Sequence, residues 1–173
     1  LSGLRVARMG SSSQSSPDLT ASPEALSGLV QAAIGYWALA GVAQQDLNIL
    51  RTAHVRIADL SGRLIGAARG GELILDIDAA GYGWFVDATP YDHSEFELLS
   101  DGGYLAGGGS AADGRLDLLT VVTHEMGHLL GLDDLDPDEE PFDIMTGILQ
   151  AGQRRVPWAT GVDQLFAESN KWF

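Results

Sequence analysis

The sequence predicts a single α/β domain, of the α+β kind, with a twisted mixed sheet carrying an edge antiparallel strand, a backing helix, a central buried helix and a C-terminal helix. Three observations predict it. Residues 23–40 repeat apolar side chains at helical spacing behind a Ser-Pro start. Residues 54–60 (HVRIADL) and 72–78 (ELILDID) alternate with period two between glycine-bearing turns. Residues 116–134 (LDLLTVVTHEMGHLLGLDD) return to helical period with one apolar face.

With 173 residues the chain can bury a sizeable core, and it has no internal repeat. Residues 1–21 read as an N-terminal strand and linker, and 22–173 as the domain proper. The net charge of −14 disfavours nucleic acid and anionic membranes as partners. The absence of cysteine excludes disulfides, thiolate metal sites and a cysteine nucleophile or cysteine lock within this chain. No apolar run reaches the length of about 18 residues that a spanning helix needs, so no membrane insertion is expected. The chain opens at Leu1 without a signal peptide, so it reads as part of a larger polypeptide.

In chain order, residues 4–9 (LRVARM) suggest a short strand, and the Ser-rich residues 10–22 a linker. Ser22 caps the first helix, Pro23 takes its first position and Gly41 ends it; Leu26, Leu29, Val30, Ala33, Ile34 and Trp37 form its inner stripe. A short helical or loop segment follows over residues 43–50. The strand at 54–60 and an extended stretch at 64–68 lead to 72–78, the clearest strand. Its Leu73, Leu75 and Ile77 share one face, while Asp76 and Asp78 give it the look of an exposed edge. Residues 79–97 and the glycine-rich 98–114 read as loops. Asp113 or Asp117 is placed to open the central helix. After it come an acidic loop (133–143), a tight turn (144–147), a second loop (154–160) and a closing helix over 161–172 with Val162, Leu165, Phe166 and Trp172 inward.

The chemistry lies in His124-Glu125-Met126-Gly127-His128. Histidines four apart on a helix stand one turn apart on one side and can grip one metal ion. Glu125 lies about 100° around the helix from His124, placed to hold a metal-bound water rather than the metal. Gly131, three residues past His128, suits a left-handed helix end that turns the chain back. Asp134, six past His128, is then the third ligand, with Asp133 its nearest competitor. Two imidazoles and a carboxylate suit zinc with one position open. Glu125 would take a proton from water and pass it to a leaving amine.

The pattern from His124 through Gly131 to Asp134, followed by a turn at Met145, resembles the metzincin clan of zinc endopeptidases. The clan's third histidine is here Asp134, as in the snapalysin-like bacterial proteases. The strands ahead of the central helix are similar to those of matrixins, and AAGYGWFVDATP with LLTVVTHEMGHLLGL to matrixin-like domains of large bacterial secreted proteins. The resemblance implies a zincin-like fold, a secreted or cell-surface bacterial setting, and zinc-dependent hydrolysis of peptide bonds in an extended protein or peptide. It makes Met145 the floor beneath the metal, residues 147–157 a pocket wall that Arg154 or Arg155 would bias, and the strand at 72–78 the edge on which substrate lies; a solvated face is the other reading of the arginine pair. Gly147 stands where some relatives carry a tyrosine ligand. Asp76, Asp78 and Asp87 are candidate calcium ligands by the same resemblance; solvated acids of an acidic chain are their other reading. His54 and His93 read as structural or exposed. The alternative functions are an autoprocessing module of a larger secreted protein, or a non-catalytic adhesion or binding module with a zinc site; an intact Glu125 argues against the second.

Overall fold

The computed structural model describes residues 3–8, 23–100 and 102–157. The predicted linker at 10–22, with its Ser22 cap, and the closing helix at 161–172 lie outside the described residues. The elements are β1 (Arg5–Val6), α1 (Pro23–Leu39), α2 (Gln44–Arg51), β2 (His54–Ala58), β3 (Gly66–Arg69), β4 (Glu72–Asp76), β5 (Trp84–Phe85), β6 (Phe96–Leu98), β7 (Tyr104–Ala106), β8 (Leu116–Asp117), α3 (Leu118–Leu129), β9 (Ile148–Leu149) and β10 (Gln153–Arg154). This is a mixed α/β architecture of helices and several small sheets. Among the described residues no helix is long and apolar enough to cross a membrane.

α1 begins at Pro23, where a missing N–H costs nothing, and stops before Gly41, whose φ of +97° a side-chain-bearing residue would resist. It buries Leu29, Ala33, Ile34 and Trp37 against α3. The Trp37 indole N–H donates to the Thr123 carbonyl at 3.0 Å, which fixes the two helices in register. α2 follows with Leu47 and Leu50 inward.

The main sheet has the order β2-β4-β3, with β2 parallel and β3 antiparallel to β4. β4 is therefore the central strand, not the edge that its two aspartates suggest. Leu73, Ile74, Leu75 and Asp76 are all buried, as befits a strand covered on both faces, whereas Ile77 lies past the strand's end and is exposed. Asp76 is not solvated: its carboxylate accepts the N–H groups of Leu60 and Ala80, both at 2.7 Å, and ties off the turn that follows. The antiparallel edge strand is β3. It packs against α3, and it can do so closely because Gly66 has no Cβ to meet Val121 and Glu125.

The regions read as loops hold short strands. β5 pairs parallel with β8, and β10-β7-β6 make an antiparallel sheet. Strands of two or three residues between glycines are too short for a period of two to register. One core joins Leu29 and Trp37 of α1, Leu73 and Leu75 of β4, and Leu118, Val122 and Met126 of α3. A smaller one gathers Phe85, Phe96 and Ala112.

Candidate metal centre

α3 carries the site, and its two ends set the geometry. At the start, the Asp117 carboxylate accepts the Thr120 N–H at 3.2 Å as N-cap. At the finish, Gly131 adopts φ +87°, Leu132 N–H donates to the Gly127 carbonyl and Gly131 N–H to that of His128, both at 3.0 Å. This paired closure reverses the chain within one turn of the helix.

The reversal brings Asp134 to the two imidazoles. His124 Nε2 and His128 Nε2 are 3.1 Å apart, and Asp134 Oδ1 lies 3.2 Å from the first and 3.4 Å from the second. Asp133 is exposed. The ring orientations have identifiable causes. His124 Nδ1–H donates to the Ile144 carbonyl and His128 Nδ1–H to the Leu132 carbonyl, each at 2.8 Å. A carbonyl only accepts, so each Nδ1 keeps its proton and each Nε2 presents a lone pair. Two lone pairs and a carboxylate oxygen thus converge on one point, an arrangement that a cation satisfies. Tetrahedral ligands about 2.0–2.1 Å from zinc stand about 3.3 Å from one another, which the three separations match. The donor set could hold a metal ion.

His124, Glu125 and His128 also form a group able to hold a metal ion, their ligand atoms all lying within 4.8 Å. Of the two sets, the one with Asp134 is tighter, and Glu125 is engaged elsewhere: its Oε1 accepts the Leu4 N–H at 2.8 Å. Glu125 is fully buried, and its Oε2 has no hydrogen-bond partner. Burial pushes its carboxyl above the usual range, against the pull of His124 and the Leu4 N–H. Asp134 is held far below the carboxylate range by its bonds to His124 and then His128. Burial pulls the His128 imidazole down, but Asp134 and the Leu132 carbonyl outweigh it and the net shift is upward.

Met145 is buried in the turn at 144–147, which is stitched to the loop after α3 by Leu135 N–H donating to the Met145 carbonyl at 2.8 Å. Its thioether lies against the backbone of Gly127, between the two histidines in sequence, where any Cβ would collide with it. Gly147 abuts Asp134: a Cβ there would meet Asp134 Cγ at 3.4 Å.

A second polar cluster surrounds Arg154. Its guanidinium is fully buried and bonds Asp117 through Nε at 3.0 Å and Nη2 at 2.8 Å, and Asp87 through Nη2 at 2.7 Å. It sits 4.3 Å from the centroid of the Phe96 ring. Burial would lower its basicity, but the two carboxylates more than reverse this. Beside it, the buried Tyr36 hydroxyl donates to the Pro90 carbonyl at 2.9 Å, and burial pushes its pKa up to about 12. His93 stacks on Tyr104, with burial and then Arg154 holding its pKa below the usual value.

These contacts correct two expectations. Asp87 is the ion-pair partner of Arg154, and Asp76 caps a turn, so Asp76, Asp78 and Asp87 do not assemble as a calcium site; among the described residues only the His124 group gathers three metal-ligating side chains. Arg154 and Arg155 form no solvated face. Arg155 is also buried and donates to the Thr146 and Ile148 carbonyls at 3.0 and 2.6 Å, holding the segment after Met145 in place. Burial lowers its pKa to about 10. His54 is exposed.

Compared with known proteins, the chain matches no family model, no curated protein and no solved structure.

Proposed function

We propose that this chain is a zinc-dependent endopeptidase of metzincin-like design, with His124, His128 and Asp134 as ligands and Glu125 as general base. The observation that carries the reading is the convergence of two imidazole lone pairs and one carboxylate oxygen at 3.1–3.4 Å, each ring oriented by a carbonyl behind it. The position of Met145 against Gly127 and the helix reversal at Gly131 support the metzincin-like form.

When bound, zinc supplies Lewis acidity, lowering the pKa of water and polarising a carbonyl. The chain's own residues supply the rest. Glu125 projects from the turn that carries both histidines, and burial raises its affinity for a proton above that of an ordinary carboxylate. It takes a proton from the attacking water on one carboxylate oxygen and returns it to the departing amine nitrogen. The Ile144 and Leu132 carbonyls keep the two rings from swinging. Asp134 contributes a negative charge, so the ligand set is one charge less positive than three imidazoles.

The test is incubation of the zinc-loaded chain with an unstructured protein, with and without chelator, beside Glu125→Ala. Cleavage at internal bonds is expected, abolished by chelator, restored by zinc, and reduced at least about 100-fold in Glu125→Ala with zinc affinity retained. Unchanged cleavage in Glu125→Ala would refute the assigned base.

A further inference from the structure

Resting on that reading, the geometry points to a form of regulation within the chain: residues 3–6 are an internal strand seated in the peptide slot, and they must leave before Glu125 can act. The segment is extended and flanked on both sides. Against the stretch leading into β3 it runs antiparallel, with Val6 N–H donating to the Arg63 carbonyl at 2.9 Å, Ile65 N–H to the Leu4 carbonyl at 3.0 Å, and Arg5 bridging Leu64. Against β9 it runs parallel, Arg5 opposite Ile148 and Val6 opposite Leu149, with Arg5 N–H donating to the Gly147 carbonyl at 3.2 Å. Leu4 and Val6 are buried while Arg5 points outward, so the slot reads its occupant as apolar, any, apolar.

The decisive contact is Leu4 N–H to Glu125 Oε1. A carboxylate that is to take a proton from water is here held by a main-chain amide, sealed from solvent, and left with its second oxygen buried and unpartnered. On the far side Glu125 is backed by Gly66 of β3, part of the main sheet. Residues 3–6 are the removable side: a two-residue strand and a few main-chain bonds hold them, together with the Leu4 and Val6 side chains that seat in the core. The strand's hydrogen bonds are with Glu125, Arg63, Ile65 and Gly147, so metal binding and latency can be tested separately. An extended peptide of the same pattern competes for the slot.

Two variants of the full chain test this. Leu4→Asp with Val6→Asp places charges in the two buried positions and is expected to raise kcat/KM on an unstructured substrate at least tenfold at unchanged zinc affinity. Should that variant fail to fold, Arg5→Cys with Ile148→Cys joins the facing pair in a chain that has no other cysteine. Its oxidised form is expected to cleave at least tenfold more slowly than the same protein reduced with a phosphine. Equal rates in the two forms overturn the inference and leave the peptidase reading standing. If no form cleaves anything, the peptidase reading fails, and hydrogen exchange at the Ile65 amide decides the slot. Faster exchange in the Asp variant, slowed again by acetyl-Gly-Leu-Arg-Val-Ala-amide, sustains it; exchange that the peptide leaves unchanged overturns it.

Discussion

At the N-terminal end of α3, Asp117 and Asp87 close on Arg154; at its C-terminal end, Asp134 closes on two imidazoles that turn lone pairs towards it. Both clusters gather negative or electron-rich atoms, the first sealed in the core and the second open to solvent at Asp134. The first obtains its cation from the chain itself, a guanidinium delivered from 37 positions past Asp117 and 67 past Asp87. The second brings two imidazole nitrogens and a carboxylate oxygen together as a group that could hold a metal ion. On the reading proposed above, that difference separates a structural ion pair, completed by a side chain, from a metal site, completed by an ion.

Arg154→Met leaves two buried carboxylates without a cation and is expected to cost about 3–5 kcal/mol in denaturant unfolding, with or without zinc. Next, zinc at about 100 times its Kd should stabilise the parent by about 2.7 kcal/mol in the same measurement. Asp134→Ala and His128→Ala should lose most of that gain, while Arg154→Met keeps it if it folds. A zinc response equal in all of these would erase the distinction. Thr120→Val is smaller. It removes the hydroxyl that accepts the Arg155 N–H at 2.9 Å and donates to Asp117 at 2.7 Å, and should cost about 1–3 kcal/mol irrespective of metal.

The smallest effect concerns pH in the zinc-free protein, where the two clusters should pull in opposite directions. His128 has a raised folded pKa, so its contribution is fully present below the unfolded value of 6.5 and is lost as pH rises through the folded one. His93 has a lowered folded pKa, so its contribution is present above 6.5 and is lost as pH falls through the folded value. Melting curves from pH 5 to 8 should therefore tilt towards acid stability in His93→Gln and towards alkaline stability in His128→Gln. Tilts of the same sign in both would show that the two environments have been misassigned.

The parts of this molecule legible in the sequence are those whose partners are near in the chain. His124 and His128 are one turn apart, Gly131 marks the reversal, and Asp134 follows from it within three residues. α1 was similarly local, from Pro23 to Gly41. Distance along the chain hid the rest. Nothing beside Arg154 names Asp87 or Asp117, although a lone acid inside WFVDATP or RLDLLT, each an apolar stretch, hints at a buried cation somewhere. Asp76 and Asp78 suggested a wet edge, because a carboxylate that caps a turn looks in sequence like one that meets water. Residues 4–9 foretold a strand, and Arg5–Val6 is one, but two residues carry no information about which edge they join.

The Trp37 indole is bonded to the Thr123 carbonyl and lies against Gly127, the two residues that immediately precede His124 and His128 in sequence. The fold thereby carries its own optical gauge. Cobalt substituted for zinc absorbs visible light and has unpaired electrons, so its arrival should dim that residue's ultraviolet emission without any attached dye. A Trp37→Phe chain, which keeps the other three tryptophans, should lose less of its emission in the same titration.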